Sequence, residues 1–260
     1  MQNITLIVPT YNEASRWPHE YWNSLLSIDS IRWIFVNDGS SDGTKDLLSN
    51  LTNPMNYEVI NVKENKGKAE ALRNGFQHYF SNHFVDERQL VGFIDADDAF
   101  RRDDLLRVCE IARSKQSKFI EGTTPEGVVS TQAVWASRIA LSGRNIERKR
   151  FRHYLGRLVA HFLNLKIERL PYDSQCGFKI FSSTKDLEDA MVTPFQTRWF
   201  VDIEILLRLR RQRDFIPWEE PLESWIDIPG SHLTFRETIR IANDIRKLLT
   251  INSSKPTKLD

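Results

Sequence analysis

Only two cysteines, Cys109 and Cys176, occur in the 260 residues. They stand far apart and without a CxxC pair, which excludes a disulfide framework and a cysteine zinc site and fits a reducing cytoplasm. No run reaches the ~18 continuous apolar residues that span a bilayer, so any membrane contact is expected to be peripheral, on the inner face. The first apolar strand is expected from Ile4, so no signal peptide is expected before it. Charge of one sign is lacking too. Thirty-six Lys and Arg against 35 Asp and Glu leave a net +1, which argues against bulk nucleic-acid binding. After the first strand there is neither a GxGxxG nor a GxxxxGK[ST] signature, so NAD and P-loop readings lose their main support. The remaining composition, 40% hydrophobic and 27% charged, is that of a globular protein with enough chain for one large α/β domain.

Strand, loop and helix alternate along the first half. Ile4 to Val8 reads as a short strand closed by Pro9, followed by a helical stretch to about Ser27. Arg32 to Asn37 reads as a strand leading through Asp38 to Thr44 into a helix around Asp46 to Leu51. Tyr57 to Val62, Ala69 to Phe80 and Leu90 to Ile94 continue as strand, helix, strand. This succession predicts a mainly parallel sheet sandwiched by helices. Beyond it the pattern predicts a helix near Asp103 to Ser114, a β segment at Gly127 to Thr131 and a long basic helical region from about Ala133 to Leu165. Asp173 to Phe181 reads as a loop entering a strand and Val201 to Arg211 as a helix. Phe215 to Ile228 reads as strand-like, confined to an edge by Pro217 and Pro221. A last helix, about Thr234 to Leu249, sets Phe235, Ile239, Ala242, Ile245 and Leu249 on one stripe.

The densest chemistry follows the fourth strand. Asp95, Asp97 and Asp98 lie at its C-terminal mouth, where open α/β sheets bind ligands. Acids this close repel one another unless a cation neutralises them. Oxygen donors without a nearby His or Cys pair suit Mg²⁺ or Mn²⁺, which points to a metal-bound phosphate. Asp98, Asp103 and Asp104 fit a helix N-cap about as well. Loops Pro9 to Glu13, Asn37 to Thr44 and Asn65 to Lys68 should meet the acids along one sheet edge. There Tyr11 can stack on a base, Asp38 can accept a ring N–H, Gly39 lets the backbone approach closely and Asp97 can hold a metal bridging two phosphates.

Val8 to Glu13, Val36 to Thr44, Asn65 to Lys68 and Asp95 to Asp97 match, in order, the motifs of family-2 glycosyltransferases of the GT-A fold. Asp173 to Phe181, Arg198 to Glu204 and Trp225 to Leu233 resemble the later motifs of dolichyl-phosphate glucosyltransferases and their bacterial polyprenyl-phosphate relatives. The likeness spans nearly the whole chain. It implies a GT-A catalytic domain over residues 1–233, with a nucleotide-sugar half (1–115) and an acceptor half (116–233), and a C-terminal amphipathic helix and tail over 234–260. It also implies an inverting, metal-dependent transfer from a UDP- or GDP-linked sugar to an acceptor, foremost a polyprenyl phosphate and alternatively a saccharide hydroxyl. By position, Pro9, Tyr11, Glu13, Val36 and Asp38 would line base and ribose, with Lys68 beside them. Asp95, Ala96 and Asp97 would form the DXD motif, with Asp95 and Asp97 at the metal. Lys179 would face phosphate, Asp173, Gln175 and His232 would lie on the acceptor side, and Asp202 occupies the segment of the general base.

Two departures concern the acceptor. The relatives commonly carry Gly-Ser-Arg after the strand that follows the DXD helix, where Val129 to Gln132 lacks the cation, and they usually have Lys where His232 stands, which would make phosphate neutralisation pH-dependent. Asp202 and Glu204 also fit helical pairs with Arg198, Arg208 and Arg211. The segment Glu147 to Lys166 fits both a basic amphipathic helix on an anionic membrane and an ordinary core stripe. A sugar nucleotidyltransferase is the alternative enzyme on the same fold, although Pro9 to Glu13 lacks its Gly-rich basic signature. A non-catalytic nucleotide-binding protein is the third reading.

Overall fold

In the first strands, alternate residues face opposite sides of the sheet, and both sides are apolar. Strand β1 (Ile4–Thr10) sends Ile4, Leu6 and Val8 to one core layer and Ile7 to the other. Strand β2 (Ile31–Asp38) repeats this with Trp33 and Phe35 against Ile34 and Val36. Strands buried on both faces need helices above and below, which is the usual setting of a parallel sheet. The computed structural model describes residues 4–121, 132–148, 159–211, 215–226 and 235–253. Between and after β1 and β2 come α1 (His19–Leu26), α2 (Thr44–Ser49), β3 (Tyr57–Val62), α3 (Lys68–Asn82), β4 (Leu90–Ile94) and α4 (Arg102–Glu121). The second half contributes β5 (Ala133–Ser137), β6 (Asn145–Glu147), β7 (Phe178–Ser182), α5 (Lys185–Ala190), α6 (Val201–Leu209), β8 (Trp218–Pro221), β9 (Ser224–Ile226) and α7 (Phe235–Ser253).

The main sheet has seven strands in the order β3-β2-β1-β4-β7-β5-β8, and β6 and β9 form a separate parallel pair. Only β7 runs against its neighbours in the main sheet. The chain winds outward from β1 to β3 and then returns to the far side of β1 as β4. The strand order therefore reverses between β1 and β4, and their carboxyl ends open a crevice there. Strand β8 with Pro221 lies on the sheet edge, as a proline requires.

Two expectations fail here. Ala133 to Ser137 is strand, not the start of a long helix. Its five residues are all buried between β7 and β8, and pairing on both sides overrides any local helical preference. In the C-terminal helix the inward face is turned from the predicted stripe. Leu248 and Ile251 are buried with Ile241 and Ile245 against them, forming a third core cluster with Phe200, Ile203 and Leu207, while Ala242 is exposed. The cause is Asp244, 3% exposed, whose carboxylate accepts the N–H groups of Arg198 and Trp199 at 2.8 and 3.0 Å and so sets the inward face. The predicted strand at Gly127 to Thr131, His232 and residues 149–158 of the basic segment Glu147 to Lys166 lie outside the described residues.

Candidate functional site

A cleft of about 440 Å³ opens at the reversal point, lined by Pro9, Tyr11, Glu13, Asp38, Lys68 and the Asp95 to Asp97 loop, among others. Its first two loops are laced together by short polar side chains. The N–H of Asn12 donates to Ser40 Oγ, and Asn12 Oδ1 in turn accepts from the N–H of Ser41. Thr44 Oγ1 accepts from Glu13 and Ala14, while Asp42 accepts from Ala14 and Thr44. The Thr44 hydroxyl and then these backbone bonds, against a small cost of burial, hold the Asp42 carboxyl below its usual range. Gly39 takes φ +64°, and a Cβ there would lie 2.5 Å from the Asn65 nitrogen, so this turn admits no side chain.

Asp38 ties the next loop. Its two oxygens accept the N–H groups of Lys66 and Gly67 at 3.1 and 2.7 Å, and at 2% exposure it lies largely below the surface. The acidic loop is anchored on both flanks. Trp22 Nε1 donates to Ala96 O at 3.0 Å, and the Asp95 N–H donates to Gly177 O at 3.0 Å. Asp98 follows with φ 56°, a left-handed turn that Asp tolerates better than most residues.

Asp97 has the features of a cation ligand. Its Oδ1 is buried without a hydrogen-bond partner among the described residues. Burial, followed by the charge of Asp95, pushes its carboxyl up to about 6. A buried, uncompensated carboxylate beside a second acid is what a divalent cation relieves. Asp95 currently meets Lys68, with Nζ 2.5 Å from Oδ1. Burial lowers the Lys68 ammonium, but Asp95, Asp202 and Asp97 outweigh it and hold the group charged. No cluster of three or more His, Cys, Asp or Glu is preformed among the described residues. The acids thus fit an ion that takes its remaining ligands from elsewhere, as Mg²⁺ and Mn²⁺ do when they share phosphate oxygens.

A second cavity, also about 440 Å³, shares Gly67 and Lys68 with the first and adds Gln175, Arg198, Trp199, Val201, Asp202 and Arg240. Asp202 opens α6 and is nearly buried, with Oδ1 2.5 Å from Lys179 Nζ. Lys179 is 0% exposed. Its ammonium also donates to Cys176 O and lies between the Trp135 and Phe93 rings, 4.7 and 5.5 Å from their centroids. It therefore faces the core and not the cleft. Helical pairing claims Glu204 rather than Asp202: Glu204 pairs with Arg208 at 2.8 Å and accepts the Gln196 and Thr197 N–H groups.

The structure thus gathers Pro9, Tyr11, Glu13, Asp38, Lys68, Asp95, Ala96 and Asp97 in one cleft and Gln175 with Asp202 in its neighbour. Val36 is fully buried in the core beneath. Asp173 is also removed from both cavities. It accepts from the Arg138 N–H, Nε and Nη2 at 2.9, 2.7 and 2.8 Å. Burial raises its carboxyl, but Arg138 prevails and holds it far below the usual range. Arg138 directly follows β5, so the cation expected after that strand is present as Ala136-Ser137-Arg138; the frame shifted because Ala133 to Ser137 was read as helix. Asp104 is no cap either, since it accepts the Glu223 and Ser224 N–H groups. Sequence reasoning missed Arg16, Trp199 and Arg240 as cavity residues. Arg16 was visible as a cation three residues after Glu13, which it pairs at 2.6 Å.

Comparison with known proteins agrees with this geometry. The profile of Glycosyl transferase family 2 matches residues 5–169. A dolichyl-phosphate beta-glucosyltransferase of Trichomonas vaginalis is 31% identical over 94% of this chain and 72% of its own. That of Saccharomyces cerevisiae is 28% identical over 93% and 72%. Among solved structures, a mannosyltransferase from Pyrobaculum calidifontis in complex with GDP-Man and Mn²⁺ superposes with TM-score 0.58 at 16% identity, covering 98% of this chain and 65% of that one, just under two thirds. Glucosyl-3-phosphoglycerate synthase from Mycobacterium tuberculosis, in complex with Mn²⁺, UDP and glucosyl-3-phosphoglycerate, gives 0.57 at 17% identity over 99% and 82%. These two likenesses establish the GT-A fold.

Proposed function

The chain belongs to glycosyltransferase family 2, and from that premise we propose that it moves a hexose, glucose foremost, from a nucleoside diphosphate sugar to the phosphate of a polyprenyl phosphate with inversion. The reading rests on one juxtaposition: a cleft holding Asp95 and Asp97, with Asp97 Oδ1 unpartnered among the described residues, shares Gly67 and Lys68 with a cavity lined by two arginines. Tyr11 would lie against the base. Asp95 and Asp97 would hold a divalent cation, Mg²⁺ or Mn²⁺, which would neutralise charge on the leaving diphosphate. Lys68, freed from Asp95 by that cation, would turn its ammonium to the diphosphate oxygens. A phosphate oxygen of the acceptor then bonds to the anomeric carbon from the face opposite the diphosphate, and the carbon–oxygen bond to the diphosphate breaks with its electron pair leaving on that group.

Such an acceptor is already anionic and needs no base. This agrees with Asp202, whose Oδ1 is committed to a buried ammonium. Asp202 would instead position the cavity wall. In the same proposal residues 1–115 form the donor half and 116–233 most of the acceptor half. No helix among the described residues is long and apolar enough to cross a membrane. Incubation with Mn²⁺, a panel of UDP- and GDP-sugars and farnesyl phosphate tests the reading. Release of nucleoside diphosphate with formation of a farnesyl phosphosugar is expected with one donor. Absence of product from every donor, or transfer to a saccharide hydroxyl in preference to the phosphate, would overturn it.

A further inference from the structure

We infer that Arg198 and Arg240 together form the clamp that takes the acceptor's phosphate, so that the C-terminal helix α7 supplies a binding residue and not merely packing. The inference rests on the proposed transfer to a phosphate acceptor and names the residues that recognise it. The charges around the second cavity support it. Lys68 is paired with Asp95 and Asp202 with Lys179, which leaves the guanidinium groups of Arg198 and Arg240, both lining this cavity, without an ion pair among the described residues. Two uncompensated guanidiniums match a phosphomonoester, which carries up to two negative charges and several acceptor oxygens suited to their planar donor sets. A neutral sugar hydroxyl would leave both unmatched.

Local structure explains why the two arginines line one cavity. Arg240 and Asp244 are four residues apart on α7 and therefore on one helix face. Asp244 holds the backbone N–H groups of Arg198 and Trp199, so the turn bearing Arg198 is fastened directly beside the helix face bearing Arg240. Asp244, four residues after Arg240, is itself engaged. Its Oδ2 is occupied by those two N–H groups, and its Oδ1 faces Lys247 at 3.7 Å. Arg198 also leans over Gly67, where a Cβ would come within 3.0 Å of Nη2. The clamp thus stands against the wall that divides the cavity from the donor cleft. Trp199, 38% exposed, sits beside it as an apolar surface for the first isoprene unit, with Gln175 on the same cavity wall.

The test uses the full chain with farnesyl phosphate, farnesol, inorganic phosphate and UDP-glucose with Mn²⁺ as probes. Arg240→Ala and Arg198→Ala should each weaken farnesyl phosphate binding, read by titration calorimetry and as KM, by about tenfold or more, the loss of one charge-assisted contact. Affinity for farnesol should not move, so the preference for phosphate over alcohol should collapse. Arg240→Lys should recover part of the loss, which a purely structural role would not predict. Inorganic phosphate should compete with farnesyl phosphate at higher concentration. Unchanged farnesyl phosphate affinity in both Ala variants, or inorganic phosphate binding more tightly than farnesyl phosphate, would overturn the clamp. A wild type that transfers sugar normally while the variants match it refutes the clamp alone. A wild type that binds no nucleotide sugar with Mn²⁺ refutes the transfer reading beneath it.

Discussion

Lys179 and Asp202 are best understood as a single unit. A fully buried ammonium beside a nearly buried carboxylate is stable as a pair, whereas removing one partner leaves an uncompensated charge in the core. Asp202→Ala should lower stability by about 3–5 kcal/mol in urea unfolding. Adding Lys179→Met, of similar length and uncharged, should restore much of it, and a double variant weaker than Asp202→Ala alone would contradict the pairing. Asp97 behaves in the opposite sense. With its carboxyl raised to about 6, the folded metal-free protein holds a proton that the unfolded chain, with an ordinary carboxyl, has already lost. The stability this group contributes is complete below the ordinary carboxyl range and is lost as pH rises through about 6. Metal-free Asp97→Asn should therefore be more stable than wild type at pH 7.5 by roughly 1–2 kcal/mol, and by less near pH 4. A variant less stable at both pH values would show that Asp97 is not strained by its surroundings.

At the scale of elements, the antiparallel strand β7 positions the acidic loop. A Cβ on Gly177, just before β7, would fall 1.9 Å from Asp95 Oδ2. Gly177→Ala should therefore push the Asp95 side chain aside, weakening UDP-sugar binding with Mn²⁺ by about tenfold or more while moving the melting temperature of the unliganded protein little. Retained donor affinity would mean that Asp95 is not needed where it stands. The strands of the first half were legible because their apolar runs are short and end in Pro, Gly and Asp turns; Leu90 to Ile94 agrees to the residue. Ala133 to Ser137 was not, because no Pro, Gly or Asp turn bounds the run and its strand state comes from β7 and β8, which are distant in sequence. The turn of α7 was hidden for a related reason: its inward face is set by a polar residue, Asp244, that a count of apolar positions passes over. In the site, the loop motifs placed the residues that line the β1/β4 cleft, but motif position could not show that Lys179 and Asp173 look inward, since their ion-pair partners Asp202 and Arg138 come from other parts of the chain.

For the molecule as a whole, the sheet reversal puts the two cavities side by side at one rim, and the C-terminal helix closes the outer one. The donor must occupy the β1/β4 mouth for the adjoining cavity to have any role in transfer, so metal-assisted donor binding at Asp97 is the claim on which the rest depends. It is tested most directly by titrating UDP- and GDP-sugars into wild type and Asp97→Ala with and without Mn²⁺, reading heat and melting temperature. Ligand bound only by the native state raises apparent stability by an amount set by its affinity. The account predicts that at least one nucleotide sugar binds wild type, that binding strengthens with Mn²⁺, and that Asp97→Ala abolishes the metal-dependent part. Binding that ignores both the metal and the substitution would contradict it.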